Sequence, residues 1–214
     1  YNTVDTIIVG NFVGTNTALA AVGGATGQLV NLFVGFFIGL SSGCGVIISQ
    51  YYGAKDQNAV SKSVHTALAF SLLSGVVIMV LGLALTDFSL RAMSLPEEIM
   101  PEATAYLRIF FLGMIPNLFY NMGAAVLRAI GDSKRPLYFL ILSCLCNIVL
   151  DLIFVAYLRL GVSGAALATI LSQLASAVMV LFVLLRTKSD VRLIPSQLRL
   201  EPFWLKKMIY VGLP

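Results

Sequence analysis

Two hundred and fourteen residues with 58% hydrophobic and 11% charged side chains depart from soluble averages of roughly 45–50% apolar and about 25% charged. Fourteen basic and ten acidic residues cannot cover a water-soluble globule of this length, which excludes a soluble enzyme, a disordered chain and a disulfide scaffold and leaves a membrane composition. The net charge of +4 forms no dense basic patch interleaved with aromatics, so no nucleic-acid partner follows.

The chain opens on Tyr1-Asn2-Thr3-Val4-Asp5 with no Met, basic leader or cleavage signal, and reads as a piece of a longer protein. At about 20 apolar residues per helical crossing, it divides into a truncated first span ending near Gly14 and spans near 22–50, 64–86, 105–129, 136–158 and 162–186. The second is too long for a perpendicular crossing and should tilt or protrude. Gly53 and Gly131 stand where helix C-terminal glycines would, each followed by charge. Residues 187–202 are polar and contain Pro195 and Pro202, so they read as a cytoplasmic linker; 203–214 read as the start of a seventh helix. The expected fold is therefore all-α, with a six-helix membrane lobe over 1–186.

Orientation follows from the loops, because Lys and Arg near span ends stay on the cytoplasmic side. One side holds Lys55, Lys62, Arg128, Lys134, Arg135, Arg186, Lys188, Arg192, Arg199, Lys206 and Lys207; the other holds only Arg91, Arg108 and Arg159, beside Asp87, Glu97, Glu98 and Glu102. The N-terminus and the 187–202 linker are expected in the cytoplasm, and topology alone explains the basic character.

Two acids remain inside apolar spans, Asp5 and Asp151. A carboxylate at membrane depth costs about 2.5–3.5 kcal/mol on insertion scales and is a functional-site hypothesis by default; the structural alternative is a polar anchor between helices. Counting about 1.5 Å per residue from the span ends, Asn147 lies roughly 16 Å and Asp151 roughly 22 Å from Pro136, Thr169 roughly 10 Å from Val162, and Asp5 roughly 14 Å from Gly14. Asn147 and Asp151 are four residues apart and share a helix face. Polar groups from three helices thus converge on one level, as a proton or cation site requires when oxygen ligands replace lost water. Singly, Thr169 is a common self-satisfied hydroxyl and Asn147 a common helix glue.

Other features read mainly as packing. Gly35, Gly39 and Gly43, after Gly23 and Gly27, make a small-residue face. Pro116 should kink the fourth span, freeing carbonyls for a cavity or a hinge. Asn31, Asn117, Tyr120 and Asn121 are candidate cavity residues or partners of nearby backbone. His65 reads as a solvated interface residue, and Cys44, Cys144 and Cys146 as small buried hydrophobes.

Taken in order, Val4-Asp5-Thr6-Ile7-Ile8-Val9-Gly10, Ala18-Leu19-Ala20-Ala21-Val22-Gly23, Ile48-Ser49-Gln50-Tyr51-Tyr52-Gly53-Ala54-Lys55, Leu127-Arg128-Ala129-Ile130-Gly131-Asp132 and Gly164-Ala165-Ala166-Leu167-Ala168-Thr169 resemble the multidrug and toxic compound extrusion (MATE) transporters over essentially the whole chain. The Asn147-x-x-x-Asp151 spacing resembles the branch of DNA-damage-inducible-protein-like transporters. The resemblance implies the N-terminal lobe of a twelve-helix, multi-pass transporter of the inner or plasma membrane. It would export amphipathic, cationic small molecules by antiport with H⁺ or Na⁺, use no cofactor, and work with a C-terminal lobe that lies beyond this sequence. Ion-coupling roles then fall on Asp5, Asn147, Asp151 and Thr169, which would also be the ligands of any Na⁺.

Exclusion drives exchange in that scheme: two acids in one low-dielectric cavity repel, a proton or Na⁺ relieves the charge, and its departure restores attraction for a cationic substrate. A lipid-linked precursor flippase is the alternative within transport, and would favour a more cationic cavity. From a different class, paired aspartates suggest an intramembrane aspartyl protease, but the Tyr-Asp and Gly-x-Gly-Asp pairings are missing around Asp5 and Asp151.

Overall fold

The computed structural model describes residues 2–14 and 16–212; Tyr1, named above, and the last two residues of the expected 203–214 helix lie outside that range. Among the described residues there are helices and turns but no strand. The α-helices are α1 (Asn2–Phe12), α2 (Asn16–Gly23), α3 (Ala25–Gly53), α4 (Gln57–Ala92), α5 (Met100–Leu112), α6 (Met114–Ala129), α7 (Lys134–Asp151), α8 (Gly161–Arg186) and α9 (Pro202–Gly212).

Four apolar helical runs are long enough to cross a membrane, at 17–53, 57–92, 134–157 and 161–186, and α5 with α6 forms a fifth, bent by 48°. The helices outrun the apolar windows because polar turns such as Gln57–Lys62 continue the backbone bonding beyond the hydrocarbon. The fourth span breaks at Gly113, whose N–H donates to Phe110 O at 2.9 Å. Pro116 lies three residues further on, and its missing N–H deprives the carbonyl of Leu112 of a helical partner. A side chain at 113 would strike Ile170 on α8, so the bend needs glycine there.

Contacts divide the chain into two compact units, Tyr1–Phe33 with Val76–Met114 and Leu142–Leu174, and Val34–Gly75 with Ile115–Ile141 and Ala175–Pro214. In the first, α1 packs against α2 and against the turn after α7, and α2 packs against α5. Its core includes Val9, Ala18, Val22, Tyr106, Leu107, Phe110 and Met114. In the second, Ile47, Ile48, Val64, Leu68, Val126, Leu127, Val180 and Leu184 form the core, joined by Val191 and Leu193 of the 187–201 connection and by Trp204 and Met208 of α9.

That connection is docked: Leu193 N–H donates to Leu184 O at 2.8 Å, and Ile194 N–H donates to Nε2 of His65 at 3.0 Å. His65 is therefore not the solvated residue expected from its position. It is 2% exposed, its Nδ1 lies 2.7 Å from Ser61 O, and its partner comes from 129 residues away. The glycine pattern also needs correction. Gly39 and Gly43 face the backbone of Gly212 on α9, whereas Gly35 faces open space and Gly23 faces Thr6 of α1. Gly131 takes the left-handed turn expected of it, at φ +86°, but past Gly53 that conformation falls on Lys55. Of the cysteines only Cys44 is buried; Cys144 and Cys146 are half-buried on α7.

Candidate ion-coupling site

Asp5, Asn147 and Asp151 are completely buried and Thr169 is 1% exposed. All four lie in the first unit, on α1, α7 and α8. Thr169 Oγ1 donates to Asp5 Oδ2 at 2.8 Å, across 164 residues of sequence. Asp151 lies within electrostatic range of Asp5. Asp5 Oδ1, both carboxyl oxygens of Asp151 and both polar atoms of the Asn147 amide find no donor or acceptor among the described residues.

Local structure explains the convergence. Asp151 is the last residue of α7, and Leu152–Tyr157 then runs as a π-helical turn in which Leu158 N–H reaches back to Ile153 O at 2.8 Å. Such wide turns recur at functional sites because they re-aim side chains without ending a helix. Helix α1, which carries Asp5, packs on this turn. One helical turn and two turns before Asp151 stand Asn147 and Ser143, both fully buried, so α7 presents a polar stripe. Ser143 Oγ donates to Ser172 O on α8 at 2.6 Å, tying together the helices that carry Asp151 and Thr169.

Two members of this neighbourhood escape a reading of the sequence. Ser143 looks like an ordinary small residue in an apolar run, although its i, i+4, i+8 spacing with Asn147 and Asp151 is a signal. Tyr106, 1% exposed on α5, lies within electrostatic range of both Asp5 and Asp151, and no local pattern marks it. The candidate cavity residues fare differently. Asn31 is exposed on α3. Asn117 and Asn121 of α6 bond to each other, Nδ2 of Asn121 donating to Asn117 O at 2.9 Å and to its Oδ1 at 2.8 Å. Tyr120 donates to Pro136 O at 3.0 Å. These three lie in the second unit.

Chemically, two carboxyls, an amide and a hydroxyl offer oxygens enough to hold a proton or a desolvated cation. Buried acceptor oxygens without partners in an apolar surround cost about 1–3 kcal/mol each, so the four oxygens, though not the Asn147 Nδ2 donor, favour an arriving positive charge.

The family model described as MatE matches residues 1–153, which contain Asp5, Asn147 and Asp151. The chain belongs to the MATE family. It is 34% identical over 218 residues to the probable multidrug resistance protein YoeA of Bacillus subtilis, covering 99% of this chain and 47% of that protein. It is 27% identical over 173 residues to DNA damage-inducible protein F of Escherichia coli, covering 81% and 37%. Among solved structures, the inward-facing conformation of a multidrug resistance MATE transporter of the MOP superfamily superposes with a TM-score of 0.91 at 29% identity, covering all of this chain and 48% of that one. The chain thus spans about half the length of the relatives it matches, and its fold is that of the MATE N-terminal lobe.

Proposed function

We infer that the chain is the N-terminal lobe of a secondary active multidrug efflux transporter and that Asp5, Asn147, Asp151 and Thr169 form its coupling site for H⁺ or Na⁺. The observation that carries this reading is the unsatisfied cluster itself: three wholly buried polar side chains, five of whose atoms lack partners among the described residues. A polar anchor between helices would pair those atoms with each other or with backbone. A protease would need a bound water and a path for peptide backbone between the acids. A precursor flippase would need buried cations.

In the proposed cycle a cation or proton neutralises the acid pair, which weakens the hold on an amphipathic cationic substrate and favours its release. Loss of the ion restores attraction for the next molecule. Residues 187–202 link this lobe to a C-terminal lobe starting with α9, and rocking of one lobe against the other about the site gives alternating access. The N-terminus and the linker face the cytoplasm of a cell whose inner or plasma membrane holds the protein.

The test is efflux of a fluorescent organic cation by the full-length protein in proteoliposomes, under separately imposed proton and sodium gradients. Asp5→Asn and Asp151→Asn should each abolish gradient-driven efflux while leaving the protein folded. Gradient-driven efflux that persists in either variant refutes the assignment.

A further inference from the structure

The start of α7 and the end of α8 reach the same membrane face, and there they bound a cavity of about 420 Å³ lined by Arg135, Phe182, Val183, Arg186, Thr187 and Lys188. Half of those residues are cationic and none is acidic. Arg135 shares its charge with Asp132, Nε to Oδ2 at 3.4 Å, and its own N–H donates to Oδ1 of the same carboxylate at 3.2 Å. The Asp132 carboxylate therefore already occupies the amide end of α7. Arg186 and Lys188, by contrast, have no carboxylate within 4 Å among the described residues, although Asp190 is near in sequence. Two positive charges stand uncompensated beside the cavity.

The floor has the opposite character. Four residues back from Arg186, one turn into the apolar helix, Phe182 is 52% exposed, and the Arg186 guanidinium lies 4.1 Å from its ring centroid. That cation–π contact fixes the guanidinium at the rim instead of letting it swing into water. Cations at the end of an apolar helix, with an exposed aromatic one turn further in, match a ligand with an anionic head and an apolar tail. An inorganic anion would use the rim alone and leave the aromatic floor unused. Basic pockets between span ends on the charge-rich side are where anionic headgroups settle.

We propose that this cavity is a binding site for the phosphodiester headgroup of an anionic phospholipid, whose acyl chain lies along Phe182. The site braces the ends of α7 and α8, the two helices that carry Asn147, Asp151 and Thr169, and it stands whether or not those residues couple ions.

Native mass spectrometry of the full-length protein, released from bilayers of equal parts phosphatidylglycerol and phosphatidylcholine, tests it. Phosphatidylglycerol should be retained in preference to phosphatidylcholine. Arg186→Gln and Lys188→Gln should each lower that preference about five-fold, as expected for about 1 kcal/mol per surface charge. Arg186→Lys should keep most of it, and raising the salt should strip the lipid from the wild type. Lys55→Gln with Lys62→Gln, at the same membrane face but outside the cavity, should change nothing. The proposal falls if wild type retains both lipids equally, if the Lys55/Lys62 pair has the same effect as the Arg186/Lys188 pair, or if inorganic phosphate displaces the lipid. If the Gln variants do not fold, the salt dependence and the phosphate competition on wild type still decide it.

Discussion

Thr169 holds one oxygen of Asp5 with its hydroxyl and leaves the other oxygen without a partner among the described residues. A hydrogen bond to a charged acceptor contributes about 1.5–3 kcal/mol, so Thr169→Ala should lower both thermal stability and the rate of gradient-driven efflux, and Thr169→Ser should restore both. Ser172 makes the useful contrast, because its hydroxyl donates only to Ala168 O, one turn back on α8. Ser172→Ala should then cost less than about 0.5 kcal/mol. If Thr169→Ala behaves like Ser172→Ala, the Asp5 bond has no role in coupling. Asp5 and Asp151 stand out in the sequence because a carboxylate in an apolar span is rare and helix rise converts position into depth. Tyr106 and His65 do not stand out, since aromatic and imidazole groups are common near span ends and their partners lie far away in the chain.

Helix against helix, backbone proximity decides which glycines are required. At Gly43 a Cβ would sit 2.4 Å from both Cα and N of Gly212, and backbone of two packed helices cannot yield that much. Gly43→Val should therefore cost roughly 1–3 kcal/mol or more, seen as a lower melting temperature and as faster hydrogen exchange along α9. At Gly35 nothing lies within 4 Å, so Gly35→Ala should be neutral or add up to about 1 kcal/mol through helix propensity. Equal effects at the two sites would mean that α9 does not dock on α3. A repeating glycine pattern reveals that close packing is available on α3 but not which glycines use it, because the partner, α9, begins about 150 residues later. The π-helical turn is equally silent: Leu-Ile-Phe-Val-Ala-Tyr is as apolar as any span, and only packing against α1 distinguishes it. The five expected spans between 22 and 186 were legible because apolar length is the direct demand of the bilayer, whereas the truncated first span is the 11-residue α1, too short to cross; helix ends were not legible, because polar turns prolong helices into the interface.

For the whole molecule, the proposed orientation rests on charge. On the proposed topology eleven Lys and Arg lie on one side of the spans and three on the other, and several stand in or beside short turns: Lys55 in 54–56 between α3 and α4, and Arg128, Lys134 and Arg135 flanking 130–133 between α6 and α7. Short loops are where the bias toward cytoplasmic Lys and Arg acts most strongly. On the richer side the charges also lock structure in place, as where Lys207 Nζ donates to Tyr51 OH at 2.6 Å and the Tyr51 ring stands edge-on to Trp204 at 5.0 Å. An inverted protein would have to carry these groups across the membrane, at about 2.3 kcal/mol per charge per 100 mV against an opposing potential. Exposed reporters on either side test the orientation directly. In a background with Cys44, Cys144 and Cys146 replaced by Ser, Ser133→Cys should react with a membrane-impermeant maleimide only in inverted vesicles, and Glu98→Cys only in intact cells. The opposite pattern would reverse the orientation and, with it, the face from which the coupling ion enters.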